Sequence, residues 1–334
     1  MQKRYFGKTP AGAEVYIYTL KSENAEVEIM THGATVRKMT VFGKSIVGGY
    51  DTLDKYINNG SCQGATIGRV SNRIAKAELK LDGTVYQLTK NDGENCLHSG
   101  MTFNYNEWDV TEYDESHITL HRLSPEGECG YPANVQATAK YTLVDTTLLI
   151  EYTAVADGKT PIAMTNHSYF NLDGFGGTIN EHTMRIYAKE YTEVDDNLIP
   201  TGNRPTVFGT PFDFYTEAKR IGERYTEDFN GYDHNFHLAT ISTELVCGME
   251  LPLVAVANND SLQLSMYTNQ TDVQFYTGNF LEGQPDFDGG KKAILHGGFC
   301  LEAQIEPNSV NHGIGIYDKG EIYSNTIIYK VEKL

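Results

Sequence analysis

The residues best able to do chemistry lie in six short runs where polar groups interrupt apolar or glycine-rich sequence. One is His296-Gly297-Gly298-Phe299-Cys300-Leu301-Glu302-Ala303-Gln304, which sets a carboxylate between Leu301 and Ala303. Such a Glu either faces solvent from an exposed strand or is held in a cleft for proton transfer. A second, Thr165-Asn166-His167-Ser168-Tyr169-Phe170-Asn171-Leu172, crowds hydrogen-bonding groups around His167. Groups so costly to bury must meet water, one another or a ligand. Gly68-Arg69-Val70-Ser71-Asn72-Arg73-Ile74 would place Arg69, Ser71 and Arg73 on one face of a strand, as donor forks for hydroxyl or carboxylate oxygens or as a surface ion-pair patch.

In Asn95-Cys96-Leu97-His98-Ser99-Gly100, small residues after His98 let a ligand approach the backbone, although a single histidine there also reads as structural. Asn230-Gly231-Tyr232-Asp233-His234-Asn235-Phe236-His237 sets an acid among aromatic residues. His234 and His237 mimic metal ligands, yet the pair lacks a third ligand and a helical setting, so no metal is expected. Gln274-Phe275-Tyr276-Thr277-Gly278-Asn279 interleaves polar and aromatic side chains, which ordinary packing also explains.

Strands must position these groups. Alternation with a period of two recurs at Glu14 to Leu20, Ala34 to Val41, Thr147 to Val155, Leu262 to Tyr267 and Ile322 to Val331. Asp82-Gly83, between Glu78 to Leu81 and Val85 to Leu88, supplies the positive φ values of a type I′ hairpin turn. Helical periodicity is confined to Thr52 to Ile57 and Thr216 to Glu223. The expected fold is all-β, with few short helices. No linker, low-complexity tract or fixed-period repeat divides the chain, so residues 1–334 read as a single domain.

Composition narrows the function classes. The 27 basic and 44 acidic side chains leave a formal charge of −17, a field that repels phosphate backbones and anionic lipids. No basic run offsets it, so neither nucleic acid nor membrane is an expected partner. The opening MQKRYFGKTPAGAEVYIYTL lacks the apolar stretch of a secretory signal, and the expected location is cytoplasmic. Five widely spaced cysteines without a CxxC pair argue against a disulfide framework or a structural zinc site.

Taken in order, FGKTPAGAEVYIYTL, GGYDTLDKY, GRVSNRIAKAELKLDGTVYQL, NCLHSG, GYPANV, TNHSYFNL, NGYDHNFHL, VQFYTGNFL and HGGFCLEAQ resemble the galactose mutarotase (aldose 1-epimerase) family over nearly the whole chain. The resemblance implies a large antiparallel β-sandwich of the supersandwich type with an open cleft. It implies cofactor-free interconversion of the α and β anomers of galactose, and of glucose and related aldoses. It makes Glu302 the general base and His167 the general acid, with His98, Asn72, Arg73, Asp233 and Gln274 binding sugar oxygens. Ring opening takes a proton from the C1 hydroxyl while the ring oxygen gains one, so a base and an acid must face one sugar from two sides. A bell-shaped pH profile is then expected, its acid limb from Glu302 and its alkaline limb from His167.

The chain departs from the family in LHSG, where LHGG is common, so Ser99 is expected to narrow the space beside His98 or add a hydroxyl contact. Cys129 in GECGYP is also unusual. The expected partner is a monosaccharide, and the protein itself is a monomer or homodimer. Three rival readings stay open: a non-catalytic sugar-binding domain, a glycoside hydrolase using Asp233 with Glu302, and a hexose-phosphate epimerase needing a cationic pocket beyond Arg73.

Overall fold

In a computed structural model, residues 2–57, 59–239 and 242–334 are described. Every predicted strand forms, with ends shifted by a residue or two. They are Glu14–Lys21, Thr35–Val41, Thr147–Ala156, Leu262–Thr268 and Ile322–Lys333. The hairpin of Glu78–Leu81 and Thr84–Gln87 closes through Asp82 at φ 48° and Gly83 at φ 79°, the geometry that pairs Leu81 with Thr84.

The strands assemble into three main antiparallel sheets. A ten-stranded sheet is built on the meander His117–Ser124, Val135–Val144 and Thr147–Ala156, continued by Ile322–Lys333, Leu262–Thr268 and Met249–Asn258. A five-stranded sheet uses the first five strands, from Gln2–Lys8 to Lys44–Val47. A four-stranded sheet orders Ala188–Tyr191, Asp233–Leu238, Asp272–Tyr276 and Cys300–Gln304. One continuous core lies between them, drawing Val27 from the five-stranded sheet, Ala139 and Ile327 from the ten-stranded sheet, and Phe275 from the four-stranded sheet. Along Val135–Val144 the buried residues are Val135, Ala137, Ala139, Tyr141 and Leu143, so alternate side chains enter the sandwich as the pleat requires.

The two predicted helical pieces shrink. Thr52 to Ile57 holds only the 3-10 turn Leu53–Lys55. In Thr216 to Glu223, Lys219–Arg220 is a short strand paired with Thr183–Ile186, and a 3-10 turn follows at Ile221–Arg224. Segments this short cannot recover the cost of helix nucleation, so they settle into 3-10 turns, with sheet pairing added at Lys219–Arg220. Among the described residues no helix is long and apolar enough to cross a membrane.

Candidate active site

The four-stranded sheet is divided by its pleat into an apolar and a polar face. Phe236, Val273, Phe275, Leu301 and Ala303 turn into the core. Their alternates Asp233, Asn235 and His237, then Asp272, Gln274 and Tyr276, then Cys300, Glu302 and Gln304, share the other face. Register sets Asn235 opposite Gln274 and Gln274 opposite Glu302. The carboxylate that could have faced solvent is 2% exposed. A hydrogen-bonded chain runs beneath it: His237 Nδ1 to Asp272 Oδ1 at 2.5 Å, Asn235 Nδ2 to the same oxygen at 2.9 Å, and Gln304 Nε2 to Asn235 Oδ1 at 2.9 Å. Gln304 Nε2 also lies 3.2 Å from Gln274 Oε1, and Gln274 Nε2 donates to Asp233 Oδ1 at 2.7 Å. Each amide is oriented by its neighbour, and the last link holds the Asp233 carboxyl in place.

His167 arrives from the opposite side. Thr165–Asn166 pairs with Thr66–Ile67, and the backbone of His167 is pinned by N–H to Ala65 O at 3.0 Å and by its carbonyl to Gly64 N–H at 2.9 Å. The polar run around it is mostly satisfied internally. Asn166 Oδ1 accepts from Ser168 N–H at 3.1 Å, Asn171 Nδ2 donates to Gly297 O at 2.9 Å, and Tyr169 OH donates to Ser61 O at 3.0 Å. His167 is left facing Glu302, with Nε2 3.6 Å from Oε1. The other carboxyl oxygen, Glu302 Oε2, is buried without a protein partner.

The third wall is a locked turn. Asn72, at φ 62°, donates its N–H to His98 Nδ1 at 3.1 Å and accepts from His98 N–H at 3.0 Å. A backbone donor on Nδ1 puts the ring proton on Nε2 in the neutral imidazole. Arg73 pairs in register with Leu97 and holds Asp92 through Nε at 2.8 Å. All seven residues named from the sequence line one open hollow. Its remaining walls include Ser61, Tyr169, Tyr276 and the two-thirds exposed Phe280. Sequence reasoning assigned these no role; Phe280 lies four residues beyond the end of Asp272–Tyr276, and its exposure is visible only in the fold.

Two expectations need correction. Arg69 does not share a face with Arg73. It is 1% exposed and turned into the protein, giving Nε to Ser124 Oγ at 2.8 Å and its terminal nitrogens to the carbonyls of Ser124, Pro125 and Pro132 at 2.7 to 2.9 Å. Positive φ at Asn72 breaks the alternation that would have aligned the two. Ser99 neither narrows the site nor reaches it. Its hydroxyl accepts from Val70 N–H at 2.8 Å and donates to Val70 O at 3.0 Å, fastening the turn from behind. The His234 and His237 rings fall on opposite faces of their strand, His234 among Phe212 and Phe229, so they cannot share an ion.

Burial also inverts the expected order of titration. Desolvation, then the charge of Asp233, pushes Glu302 well above the carboxylate range against the pull of Arg73. Desolvation takes His167 down to about 4 and His98 well below its ordinary value, while Asp233 is raised mainly by burial. The neighbouring carboxylate therefore fails to charge His167. Among the described residues, the donors of His167, Cys300 and Glu302 lie within 4.8 Å of one another. Burial holds the Cys300 thiol and the Glu302 carboxyl toward their protonated forms, which opposes metal ligation.

A carboxyl, a neutral imidazole and a ring of hydrogen-bonding groups around one open hollow suit proton exchange on a polyol. The sequence model of the aldose 1-epimerase family matches residues 16–330. The chain belongs to the aldose 1-epimerase family. It is 38% identical to the galactose mutarotase of Bos taurus, over 97% of this chain and 96% of that one. It is 33% identical to the aldose 1-epimerase of Escherichia coli K12, over 91% and 90%. Among solved structures, a galactose 1-epimerase from Lactobacillus acidophilus superposes with a TM-score of 0.86 at 25% identity, covering 99% of both chains. An aldose epimerase homologue from C. elegans reaches the same score and identity, covering 95% of this chain and 99% of its own. The aldose 1-epimerase fold expected from the resemblance is the fold found.

Proposed function

We propose that this isomerase interconverts the α and β anomers of galactose, and of glucose and related aldoses, through Glu302 and His167. The observation that carries the reading is Glu302 Oε2, a buried oxygen without a partner on the wall of the hollow, with the His167 imidazole facing its sister oxygen at 3.6 Å. The C1 hydroxyl of a bound pyranose supplies the missing contact. Glu302 takes the C1 proton, His167 delivers one to the ring oxygen, and the C1 to ring-oxygen bond opens. Rotation about the bond from C1 to C2 presents the other face of the aldehyde, and the two transfers reverse on closure.

The pair needs one proton between them, and the raised carboxyl and lowered imidazole hold it on Glu302 in the empty site. Moving it to His167 as the sugar hydroxyls enter sets up the base and the acid without a change in total charge. Asp233, Asn72, Arg73, His98 and Gln274 fix the hydroxyls away from C1, so that the reacting bond stays between the two groups. The rival pairing of Asp233 with Glu302 for glycoside hydrolysis has less support, since the His167 imidazole faces Glu302 while Asp233 Oδ1 accepts from Gln274 Nε2. The domain is taken as residues 1–334, acting in the cytoplasm as a monomer or homodimer without nucleic acid. The test is polarimetry of freshly dissolved α-galactose. Rotation relaxes faster with catalytic amounts of protein, and relaxation at the buffer rate removes the assignment.

A further inference from the structure

Cys129, which the function does not use, faces Cys96 with their sulfurs 3.7 Å apart. Both thiols are free. Cys129 sits at φ 54° in the turn Gly127-Glu128-Cys129-Gly130-Tyr131, closed by Gly127 N–H to Tyr131 O at 2.8 Å and anchored by Thr89 N–H to Cys129 O at 3.0 Å. Cys96 is fully buried on the strand Cys96–Leu97, two residues before His98 and opposite Ile74, the neighbour of Arg73. Cys129 Sγ also packs on the turn after His98, for a methyl group on Gly100 would lie 2.9 Å from it. The two thiols thus join a partly exposed turn to the segment that carries Leu97 and His98 into the hollow.

We propose that Cys96 and Cys129 form a reversible thiol–disulfide pair, closed by a low-molecular-weight disulfide, and that its closure weakens sugar binding at His98. The second half rests on the sugar-site reading above. Exposure makes Cys129 the attacking thiol and buried Cys96 the resolving one. The hydrogen bond from Cys96 lowers the Cys129 thiol below its ordinary value, with Thr89 adding to the effect. The Cys129 thiolate attacks one sulfur of the small disulfide RSSR, forming a Cys129–S–SR bond and releasing RS⁻. Cys96 loses its proton and attacks Cys129 Sγ, forming the protein disulfide and releasing the second RS⁻. Two electrons pass from the protein thiols to RSSR, and two RSH result once the released thiolates take up protons. Closing the gap to the ~2.0 Å of a disulfide bond draws the sulfurs together by about 1.7 Å. That motion acts on Gly100 and Leu97, the residues flanking the His98 turn, and displacements of this size misalign a bound substrate.

The reduced, full-length protein is incubated with bis(2-hydroxyethyl) disulfide, then followed by intact mass, peptide mapping and polarimetry. The expected product carries a Cys96–Cys129 cross-linked peptide that has lost two hydrogens, and shows a severalfold higher KM for galactose that dithiothreitol restores. Cys96→Ser should trap a stable adduct on Cys129, whereas Cys129→Ser should keep the reduced KM and leave Cys96 unmodified. A stable adduct on Cys129 with Cys96 free in the unsubstituted protein overturns the proposal. So does a cross-linked protein with unchanged KM, or a rise in KM that persists in Cys129→Ser. Reduced protein without mutarotase activity would instead fail the sugar-site reading, a result read independently of the mass data.

Discussion

The inverted titration order of Glu302 and His167 can be measured directly. With its value lowered to about 4, His167 carries a proton in only about one molecule in a thousand at pH 7, since each pH unit is a factor of ten. An unperturbed imidazole near ~6.5 would be charged in roughly a quarter of molecules at that pH. The experiment is an NMR titration of ring-labelled histidine between pH 5 and 8, with the His167 signal assigned by its loss in His167→Gln. The expected result is a neutral imidazole across the whole range. Activity should fall on the acid side as His167 gains a second proton for the pair, and on the alkaline side as Glu302 loses the one they share. These limbs are the reverse of the sequence-based expectation. A His167 midpoint near 6.5 would refute the reasoning, because it would mean that desolvation by the surrounding Tyr169 and Tyr276 rings does not govern the site.

Glu302→Gln keeps the shape and removes the base, so kcat should drop by about 10²- to 10⁴-fold with KM within a few-fold, as polarimetry reads. The same variant should melt at higher temperature near neutral pH. A carboxyl whose value is raised on folding binds more protons in the native state, so stability is lost as pH climbs from the ordinary carboxylate value to the raised one, and Gln removes that loss. Asp233→Asn should raise KM by about 10- to 100-fold, the worth of a charge-assisted hydrogen bond, with kcat within tenfold. Arg69→Met strands the carbonyls of Ser124, Pro125 and Pro132 and should cost at least about 3 kcal/mol in urea unfolding, leaving KM unchanged below the melting range. Loss of less than about 1 kcal/mol there would mean that water replaces the guanidinium.

What the chain determined by itself was local. Period-two alternation in Thr147–Ala156 and Ile322–Lys333, and the Asp82-Gly83 turn, follow from a pleat and a pair of φ angles that neighbouring residues impose without help from the rest of the protein. The motifs around His98, His167, Asp233, Gln274 and Glu302 were legible as motifs, because unusual side chains interrupting a strand stand out in one dimension. Tertiary structure decided which of them face the hollow. Arg69 and Arg73 are both cations in one short run, yet one closes the core and the other lines the site, a difference made by a positive φ at Asn72 between them. It also decided where protons reside: the charge of a carboxyl or an imidazole depends on the water removed around it, and that removal is the work of strands brought together from residues 65 to 302.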